Sequence, residues 1–544
     1  MKENIHTNDS AFSHRRERSR RLLLAAIIVL LWFAAIVTTT HAGSGTWKSA
    51  PEDGNWNNPS NWSCQCIPNG ISESAEFSVT SITDILIPQS TTVLTLFFGD
   101  GASSYSFTCL PGANLTVYQL GGLLNYSGVV QKFEVMAENG TDSYTALTFQ
   151  TSATITGDIV VTNDGATVAG GATSSSTGFE GCSAGNTVLV NEPGSVSGAL
   201  GGEADFYENS HGDTATITNK AGMVAGAFGG QTMFYGGDAG AAVITCEGAS
   251  ISGGLGGTTT FLSHASAGKA TLVAQPGSNG GAGGTIVFQN QATGGSARVQ
   301  LFGNGTLDIS NRQVTIGSLT GDGIVLTGSR TLTIGAANLS STFSGLIQDN
   351  GALNKTGTGT FTLASGNSYT GGTTIGRGAL TVTNKTGSAT GTGPVSVTSG
   401  LLGGSGIIAG KVTVGTGSGS GAFLAPAAGS KKQAILTIQS GLTFNSDATY
   451  TYTFKAKQNK ARTDQVLASG VTINSGASIA LSGQTKGLLD QGLTLTLISN
   501  TSANPISGTF SNLPDGGIVT INGNNFHASY EGGDGNDLTL TVVP

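Results

Sequence analysis

The chain has 544 residues, 85 of them glycine, and only 10% of its side chains are charged. No triplet glycine period is visible, which excludes collagen, and a hydrophobic fraction of 38% with low charge excludes a solvated disordered chain. Thr, Ser, Val and Gly outnumber the helix formers, so the composition predicts an all-β chain of short strands joined by tight turns.

The N-terminus reads as an export signal. Arg15, Arg16, Arg18, Arg20 and Arg21 precede the apolar run LLLAAIIVLLWFAAIV (22–37), and small Thr40 and Ala42 follow where a signal peptidase reads. Residues 1–42 are therefore expected to be cleaved. The run is short of the ~20 residues that span a bilayer comfortably; the alternative is an uncleaved N-terminal anchor. The mature chain is expected outside the cell or on the outer surface of a Gram-negative-type bacterium, with no membrane insertion of its own. Without 1–42 it carries 18 basic and 29 acidic side chains, a net −11. That sign argues against nucleic acid as partner.

Residues 43–150 are expected to form a β-rich cap. Trp47, Trp56 and Trp62 fall within 16 residues. They suit the apolar capping of an open solenoid end, and the alternative is a glycan-contact platform. The mature part holds Cys64, Cys66, Cys109, Cys182 and Cys246, an odd number. Cys64-Gln-Cys66 has no second pair or His cluster to complete a zinc site, so the expectation is one local disulfide to Cys109.

A period runs through residues 151–420. Phe179, Phe206, Phe234, Phe261 and Phe288 recur every 27 or 28 residues. Glycine pairs beginning at 201, 229, 256 and 283 each lie five residues before a Phe, and Leu189, Ile217, Ile244, Leu272 and Val299 form a third column. A period of this length signals a repeat architecture. A unit of 27–28 residues fits one coil of a right-handed parallel β-helix, with three short strands and intervening turns. The Phe column then becomes an interior ladder and the glycine pairs take tight corners. About ten such coils would give a shaft near 48 Å long.

Further on, GALNKTGTGTFTLASGNSYTGGTTIGRGALTV (351–382) reads as another coil. Gly351, Leu353, Lys355, Gly357, Gly359, Thr360, Leu363, Gly366, Asn367, Tyr369, Gly371, Gly372, Thr373, Gly378, Leu380 and Val382 match a pattern that resembles the autotransporter-associated β-strand repeat, also called the passenger-associated transport repeat. The resemblance implies a β-helical passenger-like protein at the cell surface. The opening TWKSAPEDGNWNNPSNW (46–62) and the tail from GLLGGSGIIAGKVTV onward are similar to secreted proteins of this type. Residues 421–544 are expected to be a β-rich C-terminal region that continues or caps the helix. No translocator barrel follows the passenger-like part, so the resemblance implies secretion by another machinery or a periplasmic location.

No catalytic, cofactor or metal constellation emerges. GGSGIIA (403–409) contains a dinucleotide-type fingerprint, but neither a helix nor an acid follows at the required distance. GGDGNDLTL (532–540) resembles a calcium nonapeptide in a single copy and reads better as a hairpin turn. The densest acidic patch, Glu203, Asp205, Glu208 and Asp213, sits in one coil, and its neighbours place Gln231 and Met233, then Thr258 and Thr260, at the equivalent positions. A second cluster, Lys431, Lys432, Lys455, Lys457, Lys460 and Arg462, stands out in an acidic chain. The expected function is an exported structural or adhesive shaft without catalytic activity, facing cell-envelope or extracellular polysaccharide or other cells. The alternatives are a carbohydrate-active β-helix enzyme using the acidic patch, or a glycan-binding module at the tryptophans.

Overall fold

The structure, a computed structural model, describes residues 43–137, 144–170, 175–427 and 433–544. The expected export signal at 1–42 and Lys431 and Lys432 lie outside the described residues. Among those described, the sole helical element is a short 3-10 turn at Pro59–Asn61; the rest is strand, turn and loop.

The chain winds as a parallel β-helix. A first sheet starts at Gly45–Thr46 and climbs through Gly70–Phe77, Thr91–Phe98, Asn114–Asn125 and Ala146–Gln150 to Leu346–Gln348. A second climbs in parallel steps from Asp84–Ile87 to Ser478–Thr485, with Lys460–Thr463 antiparallel at its end. A third runs from Val314–Ile316 to Val471–Ile473. In-register pairs such as Phe179↔Phe206, Phe206↔Phe234 and Leu189↔Ile217 place equivalent side chains directly above one another.

The interior is a set of ladders. Phe149, Phe179, Phe206, Phe234, Phe261 and Phe288 stack with ring centroids 4.6 to 5.5 Å apart and planes within 17° of parallel. Beside them runs a polar ladder that the periodicity analysis missed. Asn163 Nδ2 donates to Asn191 Oδ1 at 2.8 Å, and Asn191 Nδ2 donates to Asn219 Oδ1 at 2.7 Å. The same amides donate to the carbonyls of Glu203, Gln231 and Thr258, so each asparagine ties the second sheet to the first across the corner. The glycine pairs close this corner by proximity, not by unusual torsion. A Cβ on Gly202, Gly230 or Gly257 would lie 2.0 to 2.1 Å from the carbonyl oxygen of Asn163, Asn191 or Asn219.

Three expectations need correction. The 27–28-residue coils contain two strands, not three: the third ladder is reduced to single bridges, Ser183↔His211↔Asp238↔Ser266↔Thr293. It becomes a full sheet only once the coils shorten, as Thr306 pairs with Ile324 and Leu353 with Thr373. The reason is length: the long coils spend their extra residues on a loop such as 192–202, which the short coils lack. Second, coils extend well beyond 151–420. The expected cap at 43–150 is itself coiled, its period hidden by register shifts between Gly70 and Ser74 and between Val93 and Thr95. Past 420 parallel pairing continues, with Leu442 on Val471, one of the two outcomes expected of the C-terminal region. Third, the 351–382 segment is more than one coil, because Ala352–Lys355 pairs with Thr373–Ile375 and Thr360–Leu363 with Ala379–Val382. The segment stacks on itself.

That self-stacking explains its polar residues. Lys355 is 1% exposed, and its Nζ donates to the carbonyls of Thr356, Gly357 and Arg377 at 2.6, 3.1 and 3.2 Å. Asn367 Oδ1 accepts from Ile347 N, and its Nδ2 donates to Ala389 O. It thus substitutes for strand pairing where the first sheet has ended. Tyr369, fully buried, shares a hydrogen bond with Thr373.

The ends are closed differently. Trp47, Trp56 and Trp62 are at most 1% exposed and meet edge-to-face at 4.8 to 5.1 Å, with each indole N–H donating to a backbone carbonyl. At the other end, Thr494–Asn500, Asp537–Val543, Asn524–Gly532 and Ile518–Ile521 form antiparallel hairpins. The GGDGND stretch is the turn of one of them, with Gly532 opposite Asp537.

Two outcomes follow for stability. Asn191→Ala strips donors and acceptors from buried neighbours on both sides and is expected to cost about 2–4 kcal/mol in urea unfolding, whereas outward-facing Thr218→Ala is expected within about 0.5 kcal/mol of wild type. Burial holds the Lys355 ammonium down at about 8. The folded state then binds fewer protons than the unfolded one above that pH, so wild-type stability should rise relative to Lys355→Met between about pH 8 and pH 10.5. A flat difference across that window would contradict the buried placement.

Candidate functional site

The outward face of the first sheet carries the acidic patch. Along Glu203–Phe206, Ala204 and Phe206 point into the core, so Glu203, Asp205 and the following Tyr207 point out. Strand register then defines outward columns. Asp205 lies between Gly178 and Met233, and above Met233 comes Thr260; Glu203 lies between Ser176 and Gln231. The predicted acids therefore do not stack from coil to coil. Glu208 lies on the turn beyond the strand, and Asp213 bonds Ser183 on the third ladder. The four acids predicted together do not converge.

What does converge was not read from the sequence. Tyr207 and Tyr235 stack on this outward face with centroids 5.5 Å apart and planes 13° from parallel. Gly178 has no side chain, and the Tyr207 ring passes over it, 3.9 Å from where a Cβ would stand. Asp205 is only 7% exposed although it points outward, so its neighbours overhang it. The electrostatics follow the same grouping. The Tyr207 phenol is held well above its ordinary range, first by Asp205, then by burial, Tyr235, Glu203 and Glu180. Burial, then Glu180 and Asp205, raise Tyr144 as well. Burial pushes the Glu180 carboxyl up, against a hydrogen bond from Gln150. Two protonated phenols, flat rings and nearby carboxylates thus share one face. The signal was available: Tyr207 and Tyr235 each follow a ladder phenylalanine by one residue.

The tryptophans are not a glycan platform. Trp47, Trp56 and Trp62 all turn their rings into the core, because three indoles at an open coil end cost less solvated surface stacked together than displayed. The disulfide is also placed differently. Cys64 pairs with Cys66, Cα atoms 5.1 Å apart, and Cys109 is a free thiol. Cys109 faces inward in the stack between Ile87 and Val135, where burial pushes its thiol up to about 12. Cys182 and Cys246 are likewise buried thiols. Among the described residues, no group of three or more His, Cys, Asp or Glu is placed to hold a metal ion, and no helix is long and apolar enough to cross a membrane.

Residues 353–382 match the family model of the passenger-associated transport repeat, so the chain carries that repeat. Among solved structures, the Haemophilus influenzae Hap adhesin aligns at 12% identity and a TM-score of 0.30, over 87% of this chain and 59% of its own. No curated protein sequence matches the chain.

Because Asp205 is the largest influence on Tyr207, Asp205→Asn should lower the Tyr207 phenol pKa. Ultraviolet tyrosinate titration of this variant, with Tyr207→Phe identifying the Tyr207 signal, should show Tyr207 and, to a smaller extent, Tyr144 ionising earlier. An unchanged titration curve would separate the two groups.

Proposed function

We propose that the chain is an exported bacterial shaft, structural and adhesive, and not an enzyme. Its contact face for surface or extracellular glycan is the outward patch of Tyr144, Glu180, Glu203, Asp205, Tyr207 and Tyr235. The observation that carries the reading is the Tyr207–Tyr235 stack on a solvent-facing sheet. Paired flat rings offer apolar area for the C–H face of a sugar, and the carboxylates beside them accept hydrogen bonds from its hydroxyls. Asp205 lies between Gly178 and Met233, so no carboxyl stacks on it from either neighbouring coil, which supports a binding face that need not repeat along the shaft. The repeat at 353–382 supports an exterior location.

The test is a neutral glycan array and a cell-binding assay with wild type and the double variant Tyr207→Ala, Tyr235→Ala. Removing both outward rings should reduce retention at least about tenfold, given about 1–3 kcal/mol for such aromatic contacts. The Phe ladder beneath should keep the unfolding midpoint close to wild type. Equal binding by the variant would remove this face as the contact, and polysaccharide cleavage lost in Asp205→Asn would replace adhesion with catalysis.

A further inference from the structure

One covalent cross-link in the molecule joins no distant parts of the chain. Cys64 and Cys66 are two residues apart, so their disulfide closes a ring around Gln65 alone. A cross-link restrains the unfolded chain least when the loop it closes is shortest. The segments on either side are fastened without it: Ser63 N donates to Thr46 O, Gln65 N donates to Trp62 O, and Trp47 bridges Trp62. The ring also carries a conformational cost, because Gln65 stands at φ 51°, in the left-handed region that non-glycine residues seldom occupy.

The surroundings of the two sulfurs suit the reduced pair. The Cys66 N–H points at Cys64 Sγ at 3.2 Å, a donor that stabilises charge on that sulfur. Cys66 Sγ lies 3.2 Å from the Gly43 carbonyl oxygen. As half of a disulfide that sulfur has no hydrogen to give, whereas as a thiol it donates to the carbonyl. Access differs as well. Cys64 is exposed, while Cys66 is 6% exposed and packs so close under the chain that a Cβ on Gly43 would stand 3.2 Å from its sulfur. Cys109, Cys182 and Cys246 are buried, so Cys64 is the one exposed cysteine of the five. Metal capture by the reduced pair lacks further ligands, since among the described residues no group of three or more His, Cys, Asp or Glu is gathered there.

We propose that the Cys64–Cys66 pair is a thiol–disulfide exchange site, at which an external thiol is captured on Cys64. The incoming thiolate attacks Cys64 Sγ from the solvent side, and the bond to Cys66 Sγ breaks as the new S–S bond forms. Cys66 leaves as a thiolate, takes up the proton that the incoming thiol released, and donates it to Gly43 O. This step is an exchange without net oxidation. A second external thiol attacking the mixed disulfide then carries two electrons to the pair: both cysteines end as thiols and the two external sulfurs are joined. Without that second thiol, Cys66 displaces the captured one and the ring closes again. Small thiols and polypeptide cysteines share this chemistry. The site is apart from the Tyr207–Tyr235 face and does not rest on the glycan reading.

In the test, the folded mature chain is treated with reduced glutathione or with an unstructured single-cysteine peptide, alkylated in native buffer and mapped by mass spectrometry. Cys64 and Cys66 should become alkylated together, while Cys109, Cys182 and Cys246 stay unlabelled inside the folded shaft. A faster reaction with glutathione assigns a small thiol, and a faster one with the peptide assigns a polypeptide partner. With oxidised glutathione, Cys66→Ala should hold a mixed disulfide at Cys64, formed at least about tenfold faster than any at Cys66 in Cys64→Ala. The urea midpoint of the wild type should be the same oxidised and reduced, because the ring is so short. A disulfide that opens only when the chain unfolds, equal modification of the two single variants, or a midpoint that falls on reduction would each overturn the proposal.

Discussion

A single coil of this chain cannot bury its own apolar side, and everything else in the structure follows from that. Each turn of the helix has to present its inward residues at the same heights as the turn below, or both lose their cover. Register is therefore the controlling quantity. The phenylalanine stack, with ring planes within 17° of parallel, fixes it on one side of the core. The asparagine ladder fixes it at the corner, where a slip of one residue would leave buried amides without partners. Glycine at 202, 230 and 257 permits the approach that lets those amides reach the next strand.

Such a stack has two ends that cannot be completed by repetition. At the N-terminal end three tryptophans close the core; at the C-terminal end the strands change from parallel to antiparallel and the chain folds into hairpins. The repeat at 353–382 addresses a related problem inside the shaft. There the first sheet stops and the coils are short; Lys355 satisfies carbonyls and Asn367 an amide and a carbonyl that strand pairing no longer reaches, and Tyr369 bonds the Thr373 hydroxyl in the core.

Residues that recur in sequence with a bulky, unmistakable side chain were legible: the Phe column, the glycine pairs and the tryptophan cap. Asn163, Asn191 and Asn219 keep the same spacing, yet asparagine is a common turn residue and its column dissolves into Cys246 and Ala274, so the ladder did not stand out. Tyr207 and Tyr235 form a pair and no longer column, too short for periodicity to show. The cysteine pairing failed for a different reason. Spacing says which thiols are near in sequence, but the inward or outward phase of Cys109 in its strand decides access, and that phase is set by Ile87 and Val135 above and below. Coil length was misjudged over 43–150, where register shifts hide the period, and from about residue 305 onward, where the coils shorten without breaking the stack.

The division of labour is then between an interior that sets geometry and outward columns that are free to vary. The outward columns depart from threonine, serine and glycine at Asp205 with its tyrosines. The account stands on the shaft being displayed outside the cell. The most direct measurement is protease shaving of intact producing cells combined with sequencing of the mature N-terminus. The account predicts a start at Gly43 and a chain that the protease reaches without lysis. A retained Arg15–Arg21 segment on a chain protected until the cells are opened would contradict it.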